Sequence, residues 1–364
     1  MIKDINIKNF RCFKNTKVSG FGRINLIGGK NNSGKTSLLE ALLIYELPKP
    51  QSIVELKKVR KESADIAKAM PERAWQNFFY NQEDAPPNSI QISGESDSGE
   101  SRVIDLEISN SLNPEMADVL EDSQDSKKFI ELISKNHSVI SVLQMKVNSG
   151  NVELAKSAVV ASPSGVLALG FADKRSEECL IPSFLRISNE DIAKQYDKAR
   201  FEEKEKEVIK ILQILDSTIE KIETFSMVEP TLYLKRKDEK RLPISLFGDA
   251  INRAAAITLN LINNNNHILL IDEVENGIHY TSQKKFWETL FRLSVELDTQ
   301  IFATTHSLEM IKAFAEVGKK DENQELGAYF ELARNPRDGN IVAIRRSFDL
   351  LDYDIQHNHA IRGE

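Results

Sequence analysis

Apolar and polar positions alternate at the start of the chain and shift to helical spacing soon afterwards. Ile2-Lys3-Asp4-Ile5-Asn6-Ile7 has period two, as a half-buried strand does. Ile24-Asn25-Leu26-Ile27 is a short apolar run that stops at Gly28-Gly29. From Thr36 onward, Leu38, Leu39, Ala41, Leu42, Leu43 and Tyr45 mark a helix that Pro48 and Pro50 should stop. The opening therefore reads strand, turn, strand, turn, strand, glycine loop, helix. Residues 51–85 look helical and charged, ending at Pro86-Pro87. Runs of strand character follow at 89–93, 102–108, 139–147 and 152–160, with breaks at Ser93-Gly94 and Ser149-Gly150. Two short helical patterns, near 114–120 and 126–134, interrupt them, and the stretch reads as a mostly antiparallel sheet with inserted helices.

Residues 188–223 read as helical throughout, with Val208, Ile211, Leu212, Leu215, Ile219 and Ile222 on one apolar face. The last block predicts a helix from about 247 to 263, a buried strand at 267–271 and a helix at 281–297. A strand at 300–304, a helix at 308–317 and a β-ribbon of 328–331 with 341–345 complete it. Strand–helix–strand–helix order argues for a parallel sheet. The division expected from these patterns is an N-terminal lobe (1–185), a helical insertion (186–230) and a C-terminal lobe (231–364), in the α/β class.

Composition narrows the function classes. The 364 residues include 48 Lys and Arg against 55 Asp and Glu, a net charge of −7. Such a chain is not a bulk polyanion binder, although a local basic face is compatible with it. The basic candidates are Lys57, Lys58, Arg60 and Lys61, and Lys235, Arg236, Lys237, Lys240 and Arg241; clusters of this size are more often solvated faces. With 41% hydrophobic and 28% charged residues, the chain reads as globular rather than disordered. Cys12 and Cys179 alone make neither a disulfide framework nor a zinc site, which points to a reducing, cytoplasmic compartment. The opening has no signal-peptide core, and the charge-free stretch 157–172 is too short and too polar to span a bilayer. Secreted disulfide-rich, membrane-spanning and fibrous classes are excluded on these grounds.

The strongest chemical signal is Gly29-Lys30-Asn31-Asn32-Ser33-Gly34-Lys35-Thr36, a complete G-x-x-x-x-G-K-T between a strand and a helix. Its glycines let backbone N–H groups curl around phosphate oxygens, and the helix N-terminus adds its positive end. Gly29, Asn31, Asn32, Ser33, Gly34, Lys35, Thr36 and Ser37 are the expected nucleotide-binding residues. Lys35 would reach the β- and γ-phosphates and the Thr36 hydroxyl would ligate Mg2+. Far downstream, Ile268-Leu269-Leu270-Ile271-Asp272-Glu273 delivers two acids at the end of an apolar strand, where open α/β sheets place ligands. Asp272 is the expected Mg2+ partner and Glu273 the group that polarises the attacking water. His306, just past the next strand, is placed to touch a γ-phosphate; His279 is a weaker candidate. Ser245 and Gly248 open another helix, a second anion-competent start.

IKNFRCF (7–13), GGKNNSGKTS (28–37), SLFGDAINR (245–253), LLIDEVENGIH (269–279) and ATTHS (303–307) resemble the ABC-type ATPase heads of the OLD, RecF and SMC/Rad50 group. The nearest resemblance is to stand-alone OLD-like "AAA family" ATPases of bacteria, including ATPase subunits of PARIS-type anti-phage systems. It covers roughly 1–45 and 180–364 and leaves the middle unanchored. It implies a P-loop NTPase of ABC-head type, with a mixed sheet, an antiparallel β subdomain and a helical insertion. It also implies ATP hydrolysis with Mg2+ and a homodimer, at least, closed head-to-head on ATP. Ser245, Gly248 and Asp249 would face the γ-phosphate on the partner's P-loop. Asp272, Glu273 and His306 match the metal-binding acid, the catalytic acid and the switch histidine, and Arg11 matches a basic residue near the nucleotide. Two departures stand out: Ala250 where a second signature glycine is common, and Val274 where a proline usually follows the acids. The residues after His306 are too few for a Toprim nuclease, so the expectation is a separate effector, such as a Toprim protein. A DNA-clamping ATPase is the main alternative. A transporter subunit lacks its LSGGQ, and a GTPase lacks an Asn-Lys-x-Asp motif.

Overall fold

The computed structural model of the chain describes residues 1–80, 89–110, 140–170, 179–183, 188–226, 228–263, 267–357, 359 and 361. In chain order the elements are β1 (Ile2–Phe10), β2 (Phe13–Ser19), β3 (Ile24–Gly29), α1 (Lys35–Glu46), α2 (Pro50–Val59), α3 (Ala64–Ala69), β4 (Ser89–Ser96), β5 (Ser101–Ser109), β6 (Ser141–Ser149), β7 (Val152–Ser162), β8 (Gly165–Gly170) and β9 (Leu180–Ile181). They continue as α4 (Asn189–Phe201), α5 (Glu205–Leu215), β10 (Ile219–Ser226), β11 (Pro230–Arg236), β12 (Leu242–Pro243), α6 (Asp249–Asn263), β13 (Ile268–Ile271), α7 (Tyr280–Glu296), β14 (Gln300–Thr304), α8 (Leu308–Gly318), β15 (Gly327–Arg334), β16 (Ile341–Arg346) and α9 (Phe348–Gln356).

The elements assemble into two compact units made of interleaved stretches. The first comprises Met1–Gly20, Thr36–Glu177 and Arg334–Ala343; the second comprises Phe21–Lys35, Glu178–Ala333 and Ile344–Glu364. The lobes expected at 1–185, 186–230 and 231–364 follow contiguous sequence, and the units do not. The reason is β3, which pairs with β14 and β15 from the far end of the chain.

In the first unit a seven-stranded sheet runs β2-β1-β4-β5-β6-β7-β8, with every neighbouring pair antiparallel. The expected antiparallel sheet is therefore present. β8 was hidden in a stretch of Ser, Pro and Gly that carries no alternation of charge. Pro50 begins α2 instead of only ending α1, since a proline at the first helical turn loses no hydrogen bond. The rest of the predicted helix at 51–85 breaks into α3 and two 3₁₀ turns, Pro71–Arg73 and Gln76–Phe78. Residues 81–85, Pro86-Pro87, Val139 and the patterns near 114–120 and 126–134 lie outside the described residues.

In the second unit the sheet order is β16-β15-β3-β14-β13-β9, and the pairs from β15 through β9 are parallel. α6, α7 and α8 pack a core that includes Trp287, Phe286, Phe291, Phe314 and Tyr329, all buried. The single helix expected at 188–223 is α4, α5 and then a strand. Glu203, in a left-handed conformation at φ 59°, separates the helices. Ile219 and Ile222 are both buried at helical spacing because β10 shifts register against β11 between Ile219 and Lys221. A β-bulge thus imitates an i, i+3 pattern. Among the described residues no helix is long and apolar enough to cross a membrane.

Candidate functional site

Parallel pairing brings three strand ends to one edge of the second unit's sheet. Ile27 pairs with Thr304, and Ala303 pairs with Ile271. The residues that follow β3, β13 and β14 are Lys30, Asp272 and Thr305. The glycine loop, the two acids and His306 therefore leave the sheet at neighbouring positions, the edge where parallel sheets bind ligands.

The loop is shaped by what crowds it. A Cβ at Gly28 would lie 2.1 Å from the Tyr329 hydroxyl, and one at Gly29 would lie 2.6 Å from the Leu332 carbonyl oxygen. Gly29, Asn32 and Gly34 have φ of 149°, 61° and 95°, which turn the chain before α1. Lys35 Nζ donates to the carbonyls of Gly29 and Lys30 at 2.7 and 2.9 Å. Ser33 Oγ is buried with no hydrogen-bond partner. A lysine folded onto its own loop and an orphaned hydroxyl fit a place for phosphate. Burial pulls the Lys35 ammonium below the usual lysine range, while Asp272, Glu275 and Glu273 pull it back up.

The acids are held from several sides. Thr304 Oγ1 donates to Asp272 Oδ1 at 2.6 Å and accepts from the Glu273 N–H at 2.8 Å. Asn276 Nδ2 donates to Glu273 Oε2 at 2.9 Å. Glu273 has φ 50°, unusual for a residue with a side chain. Arg253, from α6, donates to the carbonyls of Asp272 and Glu273, the latter at 3.0 Å, and to that of Pro182 at 3.1 Å. Burial lowers the Arg253 pKa, with Asp272, Glu275 and Glu273 opposing. His306 is about half exposed, and its Nδ1 lies 3.0 Å from Glu275 Oε1. His279 bonds the Thr281 hydroxyl at 2.9 Å and lies against Tyr280.

Ser245, Gly248 and Asp249 are exposed, in a 3₁₀ turn and the start of α6. Gly248 has φ 83° and nothing within 4 Å of its would-be Cβ. Ala250 packs within the same unit: a Cβ on Gly277 would meet its backbone at 2.9 Å.

Arg11, Thr36 and Ser37 belong to the first unit. Arg11 Nε donates to Glu40 at 2.9 Å, its Nη1 donates to the Asn77 carbonyl at 2.7 Å, and its guanidinium covers Phe78. Ser37 is buried and hydrogen-bonds the Cys12 thiol, whose pKa burial raises. Thr36 follows Lys35 on α1. Thr36 and Asp272 each carry a hard oxygen donor of the kind Mg2+ takes. Among the described residues no group of three or more His, Cys, Asp or Glu could hold a metal ion.

Sequence reading missed Thr304, Arg253, Asn276 and Glu275 as parts of this site. Each lies inside a quoted motif, but nothing local shows that Thr304 bridges two strand ends or that Arg253 reaches the acids.

Residues 1–311 match the AAA ATPase domain family. The ATP/GTP phosphatase of Helicobacter pylori is 27% identical over 340 residues, which cover 87% of this chain and 88% of that protein. The DNA double-strand break repair Rad50 ATPase of Archaeoglobus fulgidus is 46% identical over 44 residues, 12% of this chain and 5% of that protein. A solved SMC head, bound to the C-terminal winged-helix domain of ScpA, shares the fold at TM-score 0.50 and 12% identity, covering 95% of this chain and 97% of its own. With the family match running over most of its length, the chain belongs to the AAA ATPase domain family.

Proposed function

We propose that the chain binds ATP on the loop of Gly29, Asn31, Asn32, Ser33, Gly34, Lys35, Thr36 and Ser37 and hydrolyses it in a site completed by a second copy. The observation that carries this reading is the convergence of loop, acids and His306 on one parallel sheet edge, with all three acids acting on Lys35. Lys35 would exchange its two carbonyl partners for β- and γ-phosphate oxygens. Glu273, with its N–H held by Thr304 and one oxygen by Asn276, would orient the attacking water and draw off its proton. His306 would meet the γ-phosphate. Mg2+, held by Thr36 and Asp272, would neutralise phosphate charge. Arg11 would serve the nucleotide only if it gave up Glu40 or used its Nη2, which is buried without a partner.

The exposed Ser245, Gly248 and Asp249 would act on the partner's nucleotide, so that closure is head-to-head and ATP-dependent. Closure would regulate a separate effector, such as a Toprim nuclease, in bacterial anti-phage defence. The ion pairs within the two basic clusters weigh against DNA clamping. Lys57 pairs with Glu62 at 2.6 Å, Lys58 with Glu55 at 3.2 Å and Arg60 with Glu40 at 2.5 Å. In the other cluster Arg236 pairs with Asp216 at 2.7 Å and Arg241 pairs with Glu223. Five of the nine basic candidates are thus matched by acids of their own chain, which weakens the electrostatic case for a duplex.

Lys35→Ala tests the reading. The variant should fold and lose ATP binding in calorimetry; a folded variant that binds ATP as the parent does sinks the assignment. A salt titration of duplex DNA binding separates the two cellular roles, with a steep dependence favouring the clamp.

A further inference from the structure

The reading above gives Glu275 no task, yet its surroundings are specific. Its side chain is 9% exposed. Oε1 accepts from the His306 backbone N–H at 2.8 Å and lies 3.0 Å from His306 Nδ1. Oε2 is buried and has no hydrogen-bond partner. An acid free to choose would turn both oxygens to water, and leaving one unpaired in the interior is costly.

The backbone on both sides is pinned, which keeps the pair together. The Thr305 N–H donates to the Ile27 carbonyl at 3.0 Å, and the Ser307 hydroxyl caps α8 by accepting from the Met310 N–H at 3.2 Å. On the acid's side, the Val274 N–H donates to the Thr304 carbonyl at 2.9 Å, and the Ile278 N–H donates to the Glu275 carbonyl at 2.9 Å. The remaining freedom of His306 is rotation of its ring. Glu275 Oε1 meets that ring at Nδ1.

Nδ1 and Oε1 are 3.0 Å apart, where two lone pairs would repel, and a carboxylate oxygen has no hydrogen to give, so this ion-pair contact favours the proton on Nδ1. Which nitrogen of a histidine faces a ligand is set by the bond the other one makes. We propose that Glu275 is a positioning residue that holds His306 in the Nδ1–H form and leaves Nε2 as the ring atom that meets bound nucleotide. This rests on His306 facing the γ-phosphate, as proposed above, but the orientation itself does not need ATP.

The test uses the full chain labelled with 15N-histidine, without nucleotide, at a pH where the ring carries one proton. His306→Gln identifies the resonances. The parent should show His306 protonated at Nδ1. Glu275→Ala should move the proton toward Nε2, and Glu275→Gln, whose amide oxygen still accepts, should keep it on Nδ1. In turnover assays Glu275→Ala should lower kcat about 10- to 100-fold, the size seen when the partner of a working histidine is removed, with a smaller change in the KM for ATP. Glu275→Gln should recover most of that loss. A parent protonated at Nε2, or a Glu275→Ala protein with the parent's tautomer and kcat, overturns the proposal. The expected tautomer shift in a parent that hydrolyses no ATP would overturn the ATPase reading and support the orientation of His306 by Glu275. If Glu275→Ala does not fold, the parent spectrum and Glu275→Gln still decide.

Discussion

The second unit contains two glycine-led turns that open helices, and they differ in what surrounds them. At Gly28 and Gly29 the neighbours are so close that a methyl group would meet Tyr329 or Leu332 at 2.1 or 2.6 Å. At Gly248 nothing lies within 4 Å. The first turn is small because its own chain packs against it. The second is small with no neighbour to require it, and it is exposed beside Ser245, Leu246 and Asp249. Glycine permits close approach of a backbone to something else. For the glycine loop, part of that something is strand β15; at Gly248 the backbone itself, at φ 83° and ψ 171°, favours glycine, and the proposed second copy would supply the neighbour.

The largest expected effect is on the acids that both turns are proposed to serve. Glu273→Gln should keep ATP binding and lower hydrolysis by about 10²- to 10⁴-fold, trapping an ATP-bound oligomer on size exclusion. Parent-like turnover would move the catalytic role elsewhere. Gly248→Arg comes next. Its glycine-favouring backbone, at φ 83° and ψ 171°, should cost about 1–3 kcal/mol, but the side chain enters open space, so the protein should fold and bind ATP. Hydrolysis and ATP-driven association should disappear together; hydrolysis at the parent rate breaks the idea that this turn works on a partner.

Gly28→Ala probes the crowded side. The new methyl should destabilise by about 1–3 kcal/mol in denaturant unfolding. Tyr329→Phe in the same chain should return part of that loss, because the hydroxyl is the nearest atom to the new Cβ. Strict additivity of the two changes would show that the clash is not what matters. Gly248→Ala should cost about 1–3 kcal/mol in the same assay, from the glycine-favouring backbone at φ 83° and ψ 171° alone. Rescue of that loss by shortening a neighbouring side chain, as Tyr329→Phe should rescue Gly28→Ala, would erase the contrast between the turns.

Much of this was legible in the amino acids. The strand, glycine loop and helix of residues 24–46 carry local signals: an apolar run, residues that accept unusual φ, and a helical stripe. The acids after an apolar strand and the histidine after the next one were equally plain. The helix expected through Ile219 and Ile222 was misread because a bulged strand buries residues three apart. Arg11 was expected beside the nucleotide; its guanidinium is engaged by Glu40 and the Asn77 carbonyl, distant in sequence and silent in pattern.

Periodicity, glycines and the order of strands and helices belong to short stretches, so the sequence by itself determined the strand–glycine loop–helix, the two acids at a strand end and an α/β architecture. It could not decide that β3 lies between β14 and β15, that one threonine joins Asp272 to the Glu273 backbone, or that Glu275 grips His306. Those are pairings between residues up to about three hundred positions apart. They exist only once parallel registers place the strand ends side by side, because a hydrogen bond depends on distance in space and local sequence carries no record of it.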